Sequence, residues 1–503
     1  MFVTSESSVT RHGAFAMERE PPATIKAIGT GVACIVAQFP WGPDGADGTK
    51  PTVPTDAADR ANTFAPAGMA RTGDGYLSTI RKGWADLRLV RVMGPTAAKA
   101  AAALQDTTPT PLTIITVTGK YKGTAGNAIV CTVSAASDGD ANHFNLAVSV
   151  TGASGTTTDI FVNLNYSGTG ADSTPVLTSC RLVGSIVKTN AGRPDNAATS
   201  MTGGVDGTVT SAEYVGTAGS GNKGIALCEN DKEIRVVFTD DCGDTARAAV
   251  NSALVAHATL MGDRCVVVNG DATQTLAEVQ IDVASYRGAR VIYADPWVYV
   301  YDDVDGTKRR ASSASFLASV FSQLAPSTSI AWKHPKVIAM LAGIAELETP
   351  RGNGAGSNSN AGIATIEQEE NGGYAIEAGV TTIAPNDPTR KNIARTRIGD
   401  YIAVSYTRSI RSMTDAPNVP SNWALLVGPL EAFMKTLKGN AVSDPNNLPH
   451  VVDYAIGDLA GVNSQQSLAA GNFYIPLDVQ TSAAMERIFL SIRFGEGVTV
   501  TAA

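Results

Sequence analysis

Residues 234–270, IRVVFTDDCGDTARAAVNSALVAHATLMGDRCVVVNG, decide how the chain folds. IRVVF (234–238) and RCVVVNG (264–270) are short β-branched runs. TARAAVNSALVAHATLM (245–261) between them carries helix formers at helical spacing. A third such run, ARVIYAD (289–295), follows a second helical stretch, TLAEVQIDVASYR (275–287). Strands that alternate with helices of this length predict parallel crossover units, with both faces of the sheet covered.

Upstream, GVACIVAQ (31–38) reads as a strand, and TDAADRANTF (55–64) as a helix with Thr55 and Asp56 as candidate caps. GDGYLSTIRKGWADLRLVRV (73–92) reads as helix, turn and strand. From about 111 to 202 the texture changes to β-branched runs such as TIITVTG, HFNLAVSV and TDIFVNLNY, divided by Gly, Asn, Asp and Ser. That predicts an all-β module inserted into the α/β chain. RGNGAGSNSNAG (351–362) reads as a surface loop, since no GK[ST] ending or strand-to-helix setting makes it a phosphate cradle. The expected organisation is an extended N-terminal arm (1–25), an α/β core in two parts (26–110 and 203–385), the inserted module (111–202), a small α+β region (386–486) and a terminal strand arm (487–503).

The totals fit several modules. The chain has 503 residues, 44% hydrophobic and 17% charged, too long for one compact core. Its net charge of -8 gives no global basic footprint for nucleic acid. No apolar run approaches the ~20 residues that cross a bilayer, and the N-terminus lacks the layout of a signal peptide, so a cytosolic origin is expected. The six cysteines show no CxxC or His-paired spacing, and buried reduced thiols are expected.

Catalytic chemistry finds little support. Of the five histidines, His12 lies in the arm, His143 and His450 border strands, His257 sits inside a helix, and His334 is the best placed. None is set beside a serine and a carboxylate. ATSMTGG (198–204) echoes the serine neighbourhood of subtilisin-type proteases, but the Asp and His contexts that chemistry needs do not precede Ser200. The adjacent carboxylates Asp240-Asp241, Asp302-Asp303 and Glu369-Glu370 point apart on a strand or diverge on a helix. No cofactor or metal is expected.

Two stretches suggest interaction. DPTRKNIARTRIGDYIAVSYTRSIRS (387–412) has six basic residues against two aspartates; with Lys435 and Lys438 of the apolar helix NWALLVGPLEAFMKTLKG (422–439), it could face something acidic or be a solvated helix face. The chain ends ERIFLSIRFGEGVTVTAA (486–503), where Ile488, Leu490, Ile492 and Phe494, then Val498 and Val500, alternate with other residues around Gly495 and Gly497. A strand at a chain end needs a partner. Either 488–494 and 498–501 pair as a hairpin, or they complete a neighbour's sheet.

An ordered set of motifs resembles the contractile tail sheath proteins of tailed bacteriophages, related to R-type pyocin and other contractile injection system sheaths. The set is LRLVRV (87–92), GKYKGTAGNAIVCTVS (119–134), GGVDGTVTSAEYVG (203–216), YADPWVYV (293–300), WKHPKVIAMLAGI (332–344) and NAGIATIEQEENGGYAIEAGVTT (360–382). The resemblance runs from about residue 26 to 494. It implies a structural, non-enzymatic subunit: a subtilisin-like-by-fold middle domain without protease chemistry, and an inserted β-rich domain facing outward. Such subunits stack as hexameric rings around a tail tube, with baseplate and tail-terminator proteins as further partners. The resemblance favours donation of the terminal strand, with Gly495 and Gly497 as hinge. It makes Arg390, Lys391, Arg395, Arg397, Lys435 and Lys438 candidates to face the tube. The alternatives are an α/β enzyme binding a small ligand at the carboxyl ends of its strands, and a non-contractile virion structural protein.

Overall fold

A computed structural model describes residues 2–3, 16–17, 31–44, 50–69, 84, 86–165, 180–217, 223–272, 274–301, 307–331, 341–344, 358–368, 373–387, 389–411, 420–439 and 451–481. The chain divides into two compact units, Lys26–Arg408 and Met1–Ile25 with Ser409–Ala503.

In the first unit seven strands form one sheet. In spatial order they are Asp86–Arg91, Val32–Ala37, Val236–Thr239, Cys265–Asn269, Val291–Asp295, Ile363–Gln368 and Tyr374–Ile376. The first six run parallel. Only the last, at the edge, is antiparallel. The expected crossovers are present, as helices Asp244–Met261 and Leu276–Asp282. Side chains alternate between two cores, as a two-residue period requires. Ala33, Ile35 and Phe238 meet Phe316, Leu317 and Phe321 of helix Ser313–Gln323, while Cys34, Val36 and Val237 meet Val250 and Leu254 of helix Asp244–Met261.

The helix ends follow local chemistry. Asp56 accepts the Asp59 amide at 2.8 Å, satisfying a first-turn N–H. Thr275 and Glu278 form a reciprocal capping box. Gly262, at φ +66°, stops helix Asp244–Met261 in the left-handed region.

His257, on the buried face of that helix, has no hydrogen-bond partner at either ring nitrogen among the described residues. Burial, then the charge of Arg264, lowers its pKa from the usual 6.5 to about 4. The unfolded chain therefore takes up this proton first as pH falls, and stability is lost from about pH 6.5 towards 4. By pH 4.5 the loss from this group should reach about 2–3 kcal/mol. Urea unfolding at pH 7.5 and 4.5 checks this: His257→Leu should narrow the gap between the two pH values by that amount, and an unchanged gap would refute it.

The inserted module is two antiparallel sheets around one core. One holds Val183–Lys188, Thr113–Lys122 and Lys99–Gln105; the other holds Ala198–Ser200, Val130–Ala135, His143–Gly152 and Gly155–Asn165. Its first strand, KAAAALQ, lies ahead of residue 111, where the module was expected to begin. Alanines carry no strand signal; pairing with Thr113–Lys122 makes this run a strand.

The module's core is not its own alone. Trp41 and Met69, from the loops on either side of helix Ala57–Phe64, are buried among Ile115, Val117, Phe144 and Val148. The Trp41 indole donates to the Arg181 carbonyl at 3.1 Å and meets Tyr121 edge-on at 5.5 Å. Arg91 reinforces the seam, donating to the carbonyls of Phe39, Pro40, Gly42 and Lys122 at 2.9–3.2 Å. Burial pushes this guanidinium down to about 10. At Gly68, φ +91°, a Cβ would stand 2.3 Å from the Val150 carbonyl oxygen, so only glycine allows the approach.

In the second unit, helix Pro420–Gly439 accompanies a two-stranded antiparallel sheet, Asp453–Ile456 with Leu477–Gln480. Trp423 and Phe473 stack at 5.2 Å. Of the segment expected as an N-terminal arm, the described residues are two short strands, Phe2–Val3 and Ala16–Met17, paired in parallel.

Candidate functional site

In an open parallel sheet a ligand site is sought at the carboxyl ends of strands where the order reverses, here between Val32–Ala37 and Val236–Thr239. That crevice is filled by the protein itself. Asp240, fully buried, accepts the Gln38 amide at 3.2 Å and the Tyr214 hydroxyl at 3.0 Å, and the Gln38 side chain donates to Tyr214 at 3.3 Å. Burial and the Asp240 charge hold the Tyr214 phenol well above its usual range, so it stays un-ionised near neutrality.

The neighbouring strand ends are closed as well. Arg247 donates to Asp241 at 2.8 Å and to Asp271 at 2.9 Å, and lies 5.0 Å from the Trp297 ring. The Trp297 indole donates to the Gly270 carbonyl at 3.1 Å. Among the described residues these groups satisfy one another. Among the described residues no group of three His, Cys, Asp or Glu side chains is placed to hold a metal. His143 pairs with Asp138 at 2.5 Å, which raises its pKa, and Ser200 stands in a strand opposite Val130.

The basic candidates separate into three groups. Arg390 is exposed, with Asp387 at 3.7 Å, and Lys391 is half-buried. Arg395 donates to the Thr389 carbonyl at 3.1 Å. Lys435 pairs with Glu431 at 2.8 Å and Lys438 with Asp453 at 2.7 Å, so both are exposed cations with acidic neighbours.

Arg397 corrects the expectation. It is buried against the body of its own subunit, donating to the carbonyls of Phe321 at 3.0 Å and Leu324 at 2.9 Å, with the Phe321 ring 5.1 Å away. Burial pushes it down to about 10. It shares the inward face of helix Ile393–Ser409 with Ile393, Ala394, Ile398 and Ile402. That helical period was the signal that removes it from a tube-facing set. Asp400 also ties the helix down, through Arg290 at 2.5 and 2.9 Å. Arg397→Met should hold stability within about 2 kcal/mol, whereas Arg397→Glu, a buried uncompensated charge, should cost several; urea midpoints decide.

The arm residues Ile488, Leu490, Ile492, Phe494, Val498 and Val500 and the hinge residues Gly495 and Gly497 lie outside the described residues. The second unit nevertheless offers a surface for an added strand. Among the described residues, Asp453–Ile456 and Leu477–Gln480 pair only with each other, so each leaves one edge without a ladder. Val452 and Gly457 close the pair's ends, donating to Gln480 at 2.8 Å and Pro476 at 3.0 Å. A lone two-stranded sheet is marginal in water, and a third strand would stabilise it.

The fold as a whole is that of sheath tail proteins. The chain is similar to the sheath tail protein of Desulfitobacterium hafniense, with a TM-score of 0.60 at 17% identity over 89% of this chain and 93% of that one. It is similar to the sheath tail protein of Listeria innocua, at 0.58 and 16% over 92% and 96%. It is also similar to the helical sheath of the anti-feeding prophage in its contracted state, at 0.54 and 13% over 98% and 99%. No family model and no curated protein sequence matches the chain.

Proposed function

We propose that this protein is the structural subunit of a contractile tail sheath. It stacks as hexameric rings around a tail tube and contracts to drive the tube through a host envelope. The observation that carries this reading is the likeness over nearly the whole of both chains to a contracted helical sheath. A second likeness, TM-score 0.51, is to a six-fold symmetrised baseplate, which supports six-membered rings and a baseplate partner. The partners are further copies of itself, the tube protein, the baseplate and the tail terminator. It assembles in the host cytoplasm and resides in the virion or particle tail. The α/β sheet of the unit Lys26–Arg408 is our candidate for the middle domain, read as subtilisin-like by fold. The filled carboxyl ends of its strands argue against an enzyme.

The terminal strand arm adds to a neighbour's sheet, and the open edges of Asp453–Ile456 and Leu477–Gln480 are its acceptor. No nucleotide or metal is needed, because two packings of one chain can store the energy of contraction. Purified protein viewed in negative stain should form long tubes, in extended and contracted forms when tube protein is supplied. A dispersed species that never forms tubes would overturn the reading. Charge reversal at Arg390 and Lys391 should weaken assembly on tubes most at low salt, where the new repulsion is least screened (screening length roughly 10 Å at 0.1 M); assembly of this variant matching that of the intact protein at both 50 and 500 mM salt would remove them from the tube-facing surface.

A further inference from the structure

Strands Lys308–Ala311, Val298–Tyr301 and Leu341–Ile344 form a three-stranded antiparallel sheet with Lys308–Ala311 at one edge. Its outer side carries no ladder among the described residues. Tyr299 stands opposite Arg310 and Tyr301 opposite Lys308, so these four side chains share one face, while Val298, Val300 and Ala311 are buried on the other. Lys308 and Arg310 are exposed and make no ion pair among the described residues. Lys308 lies 4.4 Å from the centre of the Tyr299 ring, and Arg310 lies 5.5 Å from that of Trp297 and donates to the Ala272 carbonyl at 3.1 Å.

Cations on an edge strand commonly serve to repel stray strands. Here they do so selectively. An edge that carries no ladder among the described residues can accept a strand, and cations two residues apart call for carboxylates at the same interval, about 6.8 Å along it. Single-stranded nucleic acid fits less well. Stacking of successive bases needs successive open rings, whereas Trp297 is buried and Lys308 already lies against Tyr299, leaving Tyr301 as the exposed ring.

The geometry points to Lys308–Ala311 as a docking edge for an extended acidic segment of a partner protein, one with Glu or Asp at alternate positions and small or apolar residues between. The added strand pairs its backbone with the edge and sets its carboxylates against Lys308 and Arg310. Tyr299 and Tyr301 flank the contact and reduce its exposure to water.

The test uses the full chain, dispersed, and labelled peptides of the pattern Thr-Glu-Val-Glu-Val-Thr and Thr-Lys-Val-Lys-Val-Thr, read by fluorescence anisotropy. The acidic peptide should bind and the basic one should not. K308E/R310E should weaken the acidic peptide by tenfold or more and admit the basic one. K308Q/R310Q, which adds no new charge, should weaken the acidic peptide alone, with thermal unfolding lowered alike in both variants by loss of the Arg310 bond to Ala272. Equal affinity for the two peptides, no binding of either, or a single-stranded oligonucleotide that displaces the acidic peptide at lower concentration would overturn the assignment. Tube formation is not the readout, so the result stands apart from the sheath reading.

Discussion

Chains lacking residues 487–503 are expected to fold and melt like the intact subunit yet to form no long tubes. At about 1 kcal/mol net per hydrogen bond, one donated strand is worth only a few kcal/mol before its ordering cost. A single link is therefore weak. In the proposed lattice each subunit would give and receive a strand, so loss of the arm would remove every link at once and the effect would multiply along the structure. Tube length in negative stain, beside thermal unfolding of the dispersed protein, separates assembly from folding. Full-length tubes from the truncated chain would remove the arm from the mechanism.

Trp41→Ala should produce the largest loss of folding stability, about 3–5 kcal/mol, because it empties a fully enclosed site at the seam between the inserted module and the α/β body. It also leaves the Arg181 carbonyl without its indole donor. Trp41→Phe keeps much of the volume and should cost less. Limited proteolysis reads out the location: cleavage between 99 and 200 should rise well before cleavage in Asp244–Met261. Equal protection of both regions in Trp41→Ala would show that the module stands without the seam.

The elements that sequence made plain are those whose burial writes itself into composition. Val236–Thr239, Cys265–Asn269 and Val291–Asp295 are mostly apolar up to their last residue because helices cover both sides. Helix Ser313–Gln323 left no such mark: SASFLASVFSQ is buried on nearly every side, with Ser315 and Ser322 bonding to the local backbone, so no polar stripe sets a period. Trp41 gave no signal either, since FPWGPDG reads as turn and the neighbours of Trp41 come from strands far along the chain.

The proposed interaction surfaces were legible in part. Charge marked the segment around Arg390, but charge alone does not say which way a side chain points, and Arg397 points inward. The edge at Lys308–Ala311 depends on pairing register, which no short stretch of sequence specifies.

The seam has a practical corollary for anyone using this protein as a scaffold. A guest peptide belongs in the turn around Asp138–Asp140, at the exposed tip of a hairpin remote in sequence from Trp41 and Arg91. Carried there, it would keep a fixed orientation relative to the body instead of swinging on a tether. Excising residues 99–200 as a cassette would instead lay bare an indole and a guanidinium that the body cannot cover unaided.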